Sequence, residues 1–72
     1  MSSRKMNFVR DYSEKIKIKA IVVAVQLPSG AVEIITNYED LENKYMYYLE
    51  TYDSDMIMYK NRSIRILDWI IL

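Results

Sequence analysis

Few side chains in this 72-residue chain can do covalent or acid–base chemistry at neutral pH. There is no histidine, no cysteine and a single glycine, Gly30. A Ser-His-Asp triad, a Cys-His pair, a phosphate-cradling loop and a dinucleotide fingerprint are therefore excluded, as is a thiolate metal site. Carboxylates remain. Asp53 and Asp55, with Glu50 just before them, form the one compact acidic cluster outside a helix start. Such a cluster could do acid–base work or hold magnesium. The segment nevertheless lacks the glycine and the terminal glutamate of an EF-hand, and Asp-x-Asp after a helix reads more simply as a turn. No catalytic residue, metal ligand or cofactor is assigned, and the chain is expected not to be an enzyme.

Binding chemistry is better represented. Lys15, Lys17 and Lys19 alternate with Ile16 and Ile18. On an extended strand their ammonium groups would project from one face about 7 Å apart, a spacing that could follow phosphates. Arg10, with Arg4 and Lys5, could add a basic arm. The plainer reading is that these lysines protect a sheet edge or keep it soluble. Opposite in sign, Glu39, Asp40 and Glu42 open a helical segment, and Tyr47 falls off that segment's apolar stripe. Tyrosine beside acidic residues suits a protein-recognition surface. Net charge is zero but uneven: residues 1–19 carry +4, residues 31–55 carry −6 and the remainder +2. The neutral total argues against a whole-molecule mimic of DNA.

These side chains must be positioned by a small set of elements. Lys15 to Gln26 and Val32 to Thr36 read as the arms of a β-hairpin. Its turn, Leu27 to Ala31, contains the only proline and the only glycine. Ile16, Ile18, Ala20, Val22 and Ala24 share one face of the first arm, whose small alanines would let a helix approach closely, so that face is expected to be the inner one. Thr36-Asn37-Tyr38-Glu39 has the spacing of a capping box, which predicts a helix over 37–52. Tyr38, Leu41, Tyr45, Tyr48, Leu49 and Tyr52 recur at three and four residues, and that stripe is assigned to the core. Met56 to Tyr59 reads as a short strand, Lys60 to Arg62 as a turn, and Ser63 to Leu72 as a final strand. The expected fold is α+β: a single ββαββ domain over 15–72, with one helix packed on a small antiparallel sheet. Residues 1–14 show no clean period and are expected to form a flexible or loosely packed arm, disordered over its first five residues.

Hydrophobic residues make up 51% of the chain. A domain this small hides a modest share of its apolar surface. A homodimer is therefore expected, with Val23, Val25, Ile35, Leu67, Trp69 and Ile71 as an apolar second sheet face covered by the other copy. No signal peptide or membrane-spanning run is visible, so the chain is expected to be soluble and cytoplasmic.

The segments Ile18 to Val25, Leu27 to Asn37 and Tyr47 to Met56 resemble small uncharacterised proteins of Gram-positive phages and prophages. The resemblance covers roughly residues 16–60 and is one of general pattern. It implies a phage or prophage origin and a bacterial host cell, and it transfers no functional residue. The expected function is a non-enzymatic interaction protein that binds a bacterial protein, as an inhibitor of a host or defence system. The alternative is an accessory nucleic-acid binder of phage replication or recombination, using Arg10, Lys15, Lys17 and Lys19.

Overall fold

The computed structural model describes residues 3–72. Its elements run α1 (Arg4–Ser13), β1 (Ile21–Gln26), β2 (Val32–Asn37), α2 (Leu41–Thr51) and β3 (Arg65–Ile71). The class is α+β, but the order is αββαβ rather than ββαββ. One antiparallel sheet of order β2-β1-β3 carries both helices on the same face.

The first correction concerns the N-terminus. Arg4–Ser13 is a helix, capped where Ser3 Oγ accepts from Met6 N at 3.1 Å. Phe8 is fully buried, and Tyr12 packs on the core beside it. Polar contacts also tie the helix to the rest of the domain. Arg4 donates to the carbonyls of Ile66 (2.9 Å) and Leu67 (2.5 Å). Lys5 Nζ donates to the carbonyls of Leu49 and Tyr52, at the C-terminal end of α2 where a cation is favoured. Asp11 Oδ2 accepts from Trp69 Nε1 at 2.8 Å. The segment read as an arm is thus part of the domain. Of the five residues expected to be disordered, Met1 and Ser2 lie outside the described residues.

The hairpin turn is where the sequence puts it. Leu27 N donates to Ala31 O at 2.8 Å, and Gly30, at φ +90°, takes a left-handed conformation that costs other residues. The strand itself is shorter than expected, because β1 begins at Ile21 and Lys15 to Ala20 form an irregular connection. The faces are also exchanged. Ile21, Val23 and Val25 point into the core, while Val22 and Ala24 lie on the outer face with Val32, Ile34 and Thr36 of β2.

A β-bulge sets the face of β3. Val23 pairs with Trp69 and Ala24 with Asp68, but Val25 pairs with Ile66, so Leu67 is the extra residue. The slip lets Ile66, Trp69 and Ile71 all face inward despite their mixed parity. The proposed dimer surface is corrected by the same observation. Val23, Val25 and Ile71 are buried core residues, and Ile35 and Trp69 pack against that core. Leu67, half-buried, is held through its carbonyl by Arg4.

Helix α2 starts later than the capping-box spacing implies, because Thr36 and Asn37 are still paired in β2 with Val22 and Ile21. Asp40 takes the position before the helix in a left-handed conformation (φ 53°), without a side-chain cap. The tyrosine stripe does become core: Tyr48 and Tyr52 are buried, and Leu41, Tyr45 and Leu49 pack around them. Tyr38 precedes the helix and is exposed. Phe8 joins α1, α2 and β3 through ring contacts to Tyr45 (5.7 Å), Tyr48 (6.0 Å) and Trp69 (5.5 Å).

Residues 56–59 do not form a separate strand. They make two isolated bridges, Tyr52 with Met58 and Ile57 with Arg65, and Met56 is fully buried. Through the Ile57 bridge and the bond from Ile66 N to Met56 O (2.9 Å), this segment covers the beginning of the outer edge of β3, at Arg65 and Ile66. Among the described residues no backbone group bonds to the outer edge of β2.

Candidate functional site

Because α2 commits Tyr45, Tyr48 and Leu49 to the core, its other side faces solvent with Glu42, Met46, Tyr47 and Glu50. Glu42, Met46 and Glu50 follow one another at four-residue intervals and so share a ridge. After Tyr52 the chain reverses through Asp53, whose carboxylate accepts from the N–H groups of Asp55 (2.9 Å) and Ile57 (3.0 Å). The returning segment is then fixed by Tyr59 N donating to Thr51 O at 3.0 Å. That bond brings Tyr59 alongside α2. Tyr47, Glu50, Thr51, Met58, Tyr59 and Lys60 consequently line an open groove of about 440 Å³.

Tyr47 is 49% exposed and Tyr59 58%, so the groove offers two accessible rings beside a carboxylate and an ammonium. Both rings are backed. Tyr47 lies edge-on to Tyr48 at 5.4 Å, and the Lys5 ammonium sits 5.8 Å from the centre of Tyr59. A surface of exposed but supported tyrosines offers large contact area for little lost side-chain freedom. No family model, curated protein or solved structure matches the chain. Its chemistry is therefore read from its own residues.

Glu39, Asp40, Glu42 and Tyr47 were expected to form one recognition surface, and the structure sets the three acids at the start of α2 and Tyr47 just past its middle. The three acids are exposed around its N-terminus, where Asp40 Oδ1 accepts from Asn43 Nδ2 at 2.8 Å. Tyr47 lies more than a turn further along, in the groove. Sequence reasoning missed Met58, Tyr59 and Lys60 as groove residues. They reach Tyr47 only because Asp53 reverses the chain, and Asp-x-Asp carried that turn signal.

The basic candidates are arranged differently from the expectation. Lys15, Lys17 and Lys19 are exposed, but they sit on the irregular connection before β1, so the regular spacing of a strand is absent. Lys15 lies beside Asp11 and Glu14 in a shallow depression against Trp69. Arg10 donates to Asn7 Oδ1 at 2.7 Å within its own helix. Arg4 and Lys5, read as part of a basic arm, are occupied by backbone carbonyls inside the domain.

The shifted ionisations belong to the core and the turn. Burial raises the Tyr52 hydroxyl to about 12, aided by Tyr47 and Tyr48. Burial also raises Tyr48, against the opposing hydrogen bond from Asn37, and raises Tyr45, which stacks on Tyr12 at 3.7 Å. For Asp53, burial pushes upward but is outweighed by the N–H of Ile57, the Arg62 guanidinium at 2.6 Å and the N–H of Asp55. Its carboxyl is held below the ordinary range, as suits a group that organises a turn. Among the described residues no three His, Cys, Asp or Glu side chains come together as a metal site, and no helix is long and apolar enough to cross a membrane.

Proposed function

We propose that this chain is a non-enzymatic interaction protein that binds a bacterial protein through the outer surface of α2 and the segment returning along it. The observation that carries this reading is the pair of exposed tyrosines, Tyr47 and Tyr59, flanking one groove next to Glu50 and Lys60. Met46, 44% exposed on the adjoining ridge, extends the apolar contact. Glu42 and Glu50 on that ridge, with Glu39 and Asp40 beyond it, favour a partner segment that is basic and partly apolar. The resemblance to phage and prophage proteins supports a bacterial host protein as that partner, bound in the cytoplasm, with inhibition of a host or defence system as the consequence. Nucleic-acid binding is the weaker reading, because Arg4 and Lys5 are internal and Lys15 adjoins two acids.

The test is an affinity pull-down of the tagged chain from bacterial lysate, with and without nuclease. A stoichiometric protein that survives nuclease, and is lost with Tyr47→Ala and Tyr59→Ala but not with Lys17→Glu, supports the reading. Partners that disappear on nuclease treatment, or with Lys17→Glu, overturn it in favour of nucleic acid.

A further inference from the structure

Backbone alternation decides which groups of β2 are free. At the hairpin turn Leu27 N donates to Ala31 O and Gly30 N to Leu27 O. Bonded and non-bonded pairs then alternate along the ladder, so Glu33, Ile35 and Asn37 direct their N–H and C=O groups to Val25, Val23 and Ile21. The same groups of Val32, Ile34 and Thr36 point away from the sheet about 7 Å apart, and no backbone group among the described residues bonds to them. Side chains protect this margin little. Ile34 is 62% and Val32 53% exposed, and β2 carries no lysine, proline or bulge, the features that ordinarily block an exposed edge. The margin of β3 has several such features: the bulge at Leu67, the charges of Arg65 and Asp68, and the cover of Met56 and Ile57.

What fits the margin of β2 follows from its chemistry. A row of donors and acceptors at strand spacing is matched by another extended backbone, which neither a nucleic acid nor a lipid surface supplies. Glu33 is the one charge of β2. It is paired with Val25 and so lies on the helix side of the sheet, exposed and in no ion pair among the described residues. A base opposite it on an added strand would meet it. A second copy of β2 has no base to offer, and one centred on Ile34 sets Ile35 against Glu33. Just past the margin, Thr36, Asn37, Tyr38, Glu39 and Lys44 line a hollow of about 310 Å³, with space for a side chain of that strand.

We propose that β2 takes up an extended segment of a partner polypeptide as a fourth, antiparallel strand of the sheet. The segment sets β-branched residues beside Val32, Ile34 and Thr36 and a lysine or arginine opposite Glu33. Main-chain bonds exchanged in pairs with Val32, Ile34 and Thr36 supply the affinity, while Glu33 and the hollow set the preference. This margin is a different surface from the groove of α2, and its argument does not depend on the groove.

The test uses the full chain, isotopically labelled for magnetic resonance, and a short blocked peptide that alternates valine with lysine. As peptide is added up to millimolar concentration, the amide signals of Val32, Ile34 and Thr36 move furthest, and those of Tyr38 and Lys44 follow. A valine–glutamate peptide binds roughly three- to tenfold more weakly, and Glu33→Lys reverses that order. Ile34→Pro abolishes binding but leaves the far-UV circular dichroism unchanged, because the lost N–H faces away from β1. The valine–lysine peptide methylated on its valine nitrogens does not bind, a control that leaves the chain itself untouched. Signals that stay still at these residues, or equal binding of the methylated peptide, would overturn the proposal. So would a mass that doubles without peptide and reverts with Ile34→Pro, which would make the occupant a second copy. Tyr47→Ala and Tyr59→Ala leave peptide binding unchanged, so this result and the pull-down fail independently.

Discussion

The guanidinium of Arg4 holds the carbonyl of Leu67 at 2.5 Å, so the first turn of α1 grips the single irregular residue of the sheet. The same group reaches Ile66 O and lies 5.4 Å over the Trp69 ring. A bulge leaves a strand carbonyl without its ladder partner, and here a side chain from 63 residues away supplies one.

Arg4→Ala should cost about 2–3 kcal/mol, since charged hydrogen bonds are lost and two part-buried carbonyls are left without them. Arg4→Lys should cost less, because an ammonium can still serve one carbonyl but cannot fork to two. Urea denaturation of the two variants measures the difference.

Phe8→Ala removes the fully buried ring that touches α2 and β3, a change that typically costs about 3–5 kcal/mol. In a domain of this size that is a large part of the total stability. The variant should be substantially unfolded by circular dichroism at room temperature. Met6→Ala on the exposed side of the same helix should shift stability by less than about 0.5 kcal/mol.

Alkaline pH should destabilise the fold through its buried tyrosines. An unfolded tyrosine ionises near pH 10, whereas Tyr52 in the fold stays protonated to about 12. Between those values the unfolded chain has released the proton and the folded chain has not, so stability present below pH 10 falls as pH rises. Urea midpoints measured across that interval should decline, and Tyr52→Phe should make the decline shallower.

The turn at Asp53 carries the opposite dependence. Its carboxyl is depressed in the fold, so its contribution is present above the ordinary pKa of 3.8 and fades as pH falls. Asp53→Asn keeps an acceptor for the N–H groups but loses the charge facing Arg62, and should flatten the acid limb of a stability–pH curve. Arg62→Gln should do the same through the other partner. Thermal melts between about pH 2 and pH 6 distinguish these outcomes, because an unaltered acid limb in both variants excludes the pair as its source.

Local signals in the sequence were strong where structure is local. The hairpin turn at Pro28 to Gly30 and the stripe from Leu41 to Tyr52 follow from residue type and spacing, and both stand. Helix α1 was hidden because its inward side mixes Phe8 and Tyr12 with Arg4, Lys5 and Asp11, whose partners lie more than forty residues away. The sheet faces were exchanged for a related reason. Alternation along Ile16, Ile18, Ala20, Val22 and Ala24 suggested an inner face, yet the strand begins only at Ile21. On β3 the bulge at Leu67 moves Ile66 onto the face of Trp69, which no fixed parity can anticipate. The groove was half visible: Tyr47 stood out from its helix, whereas Tyr59 needed the long-range bond to Thr51.

The two edges of the sheet differ in a way that bears on growth. Met56 and Ile57 cover the margin of β3 only at Arg65 and Ile66, while among the described residues no backbone group pairs with the margin of β2. An added strand would find its longest unbroken row of free N–H and C=O groups along β2.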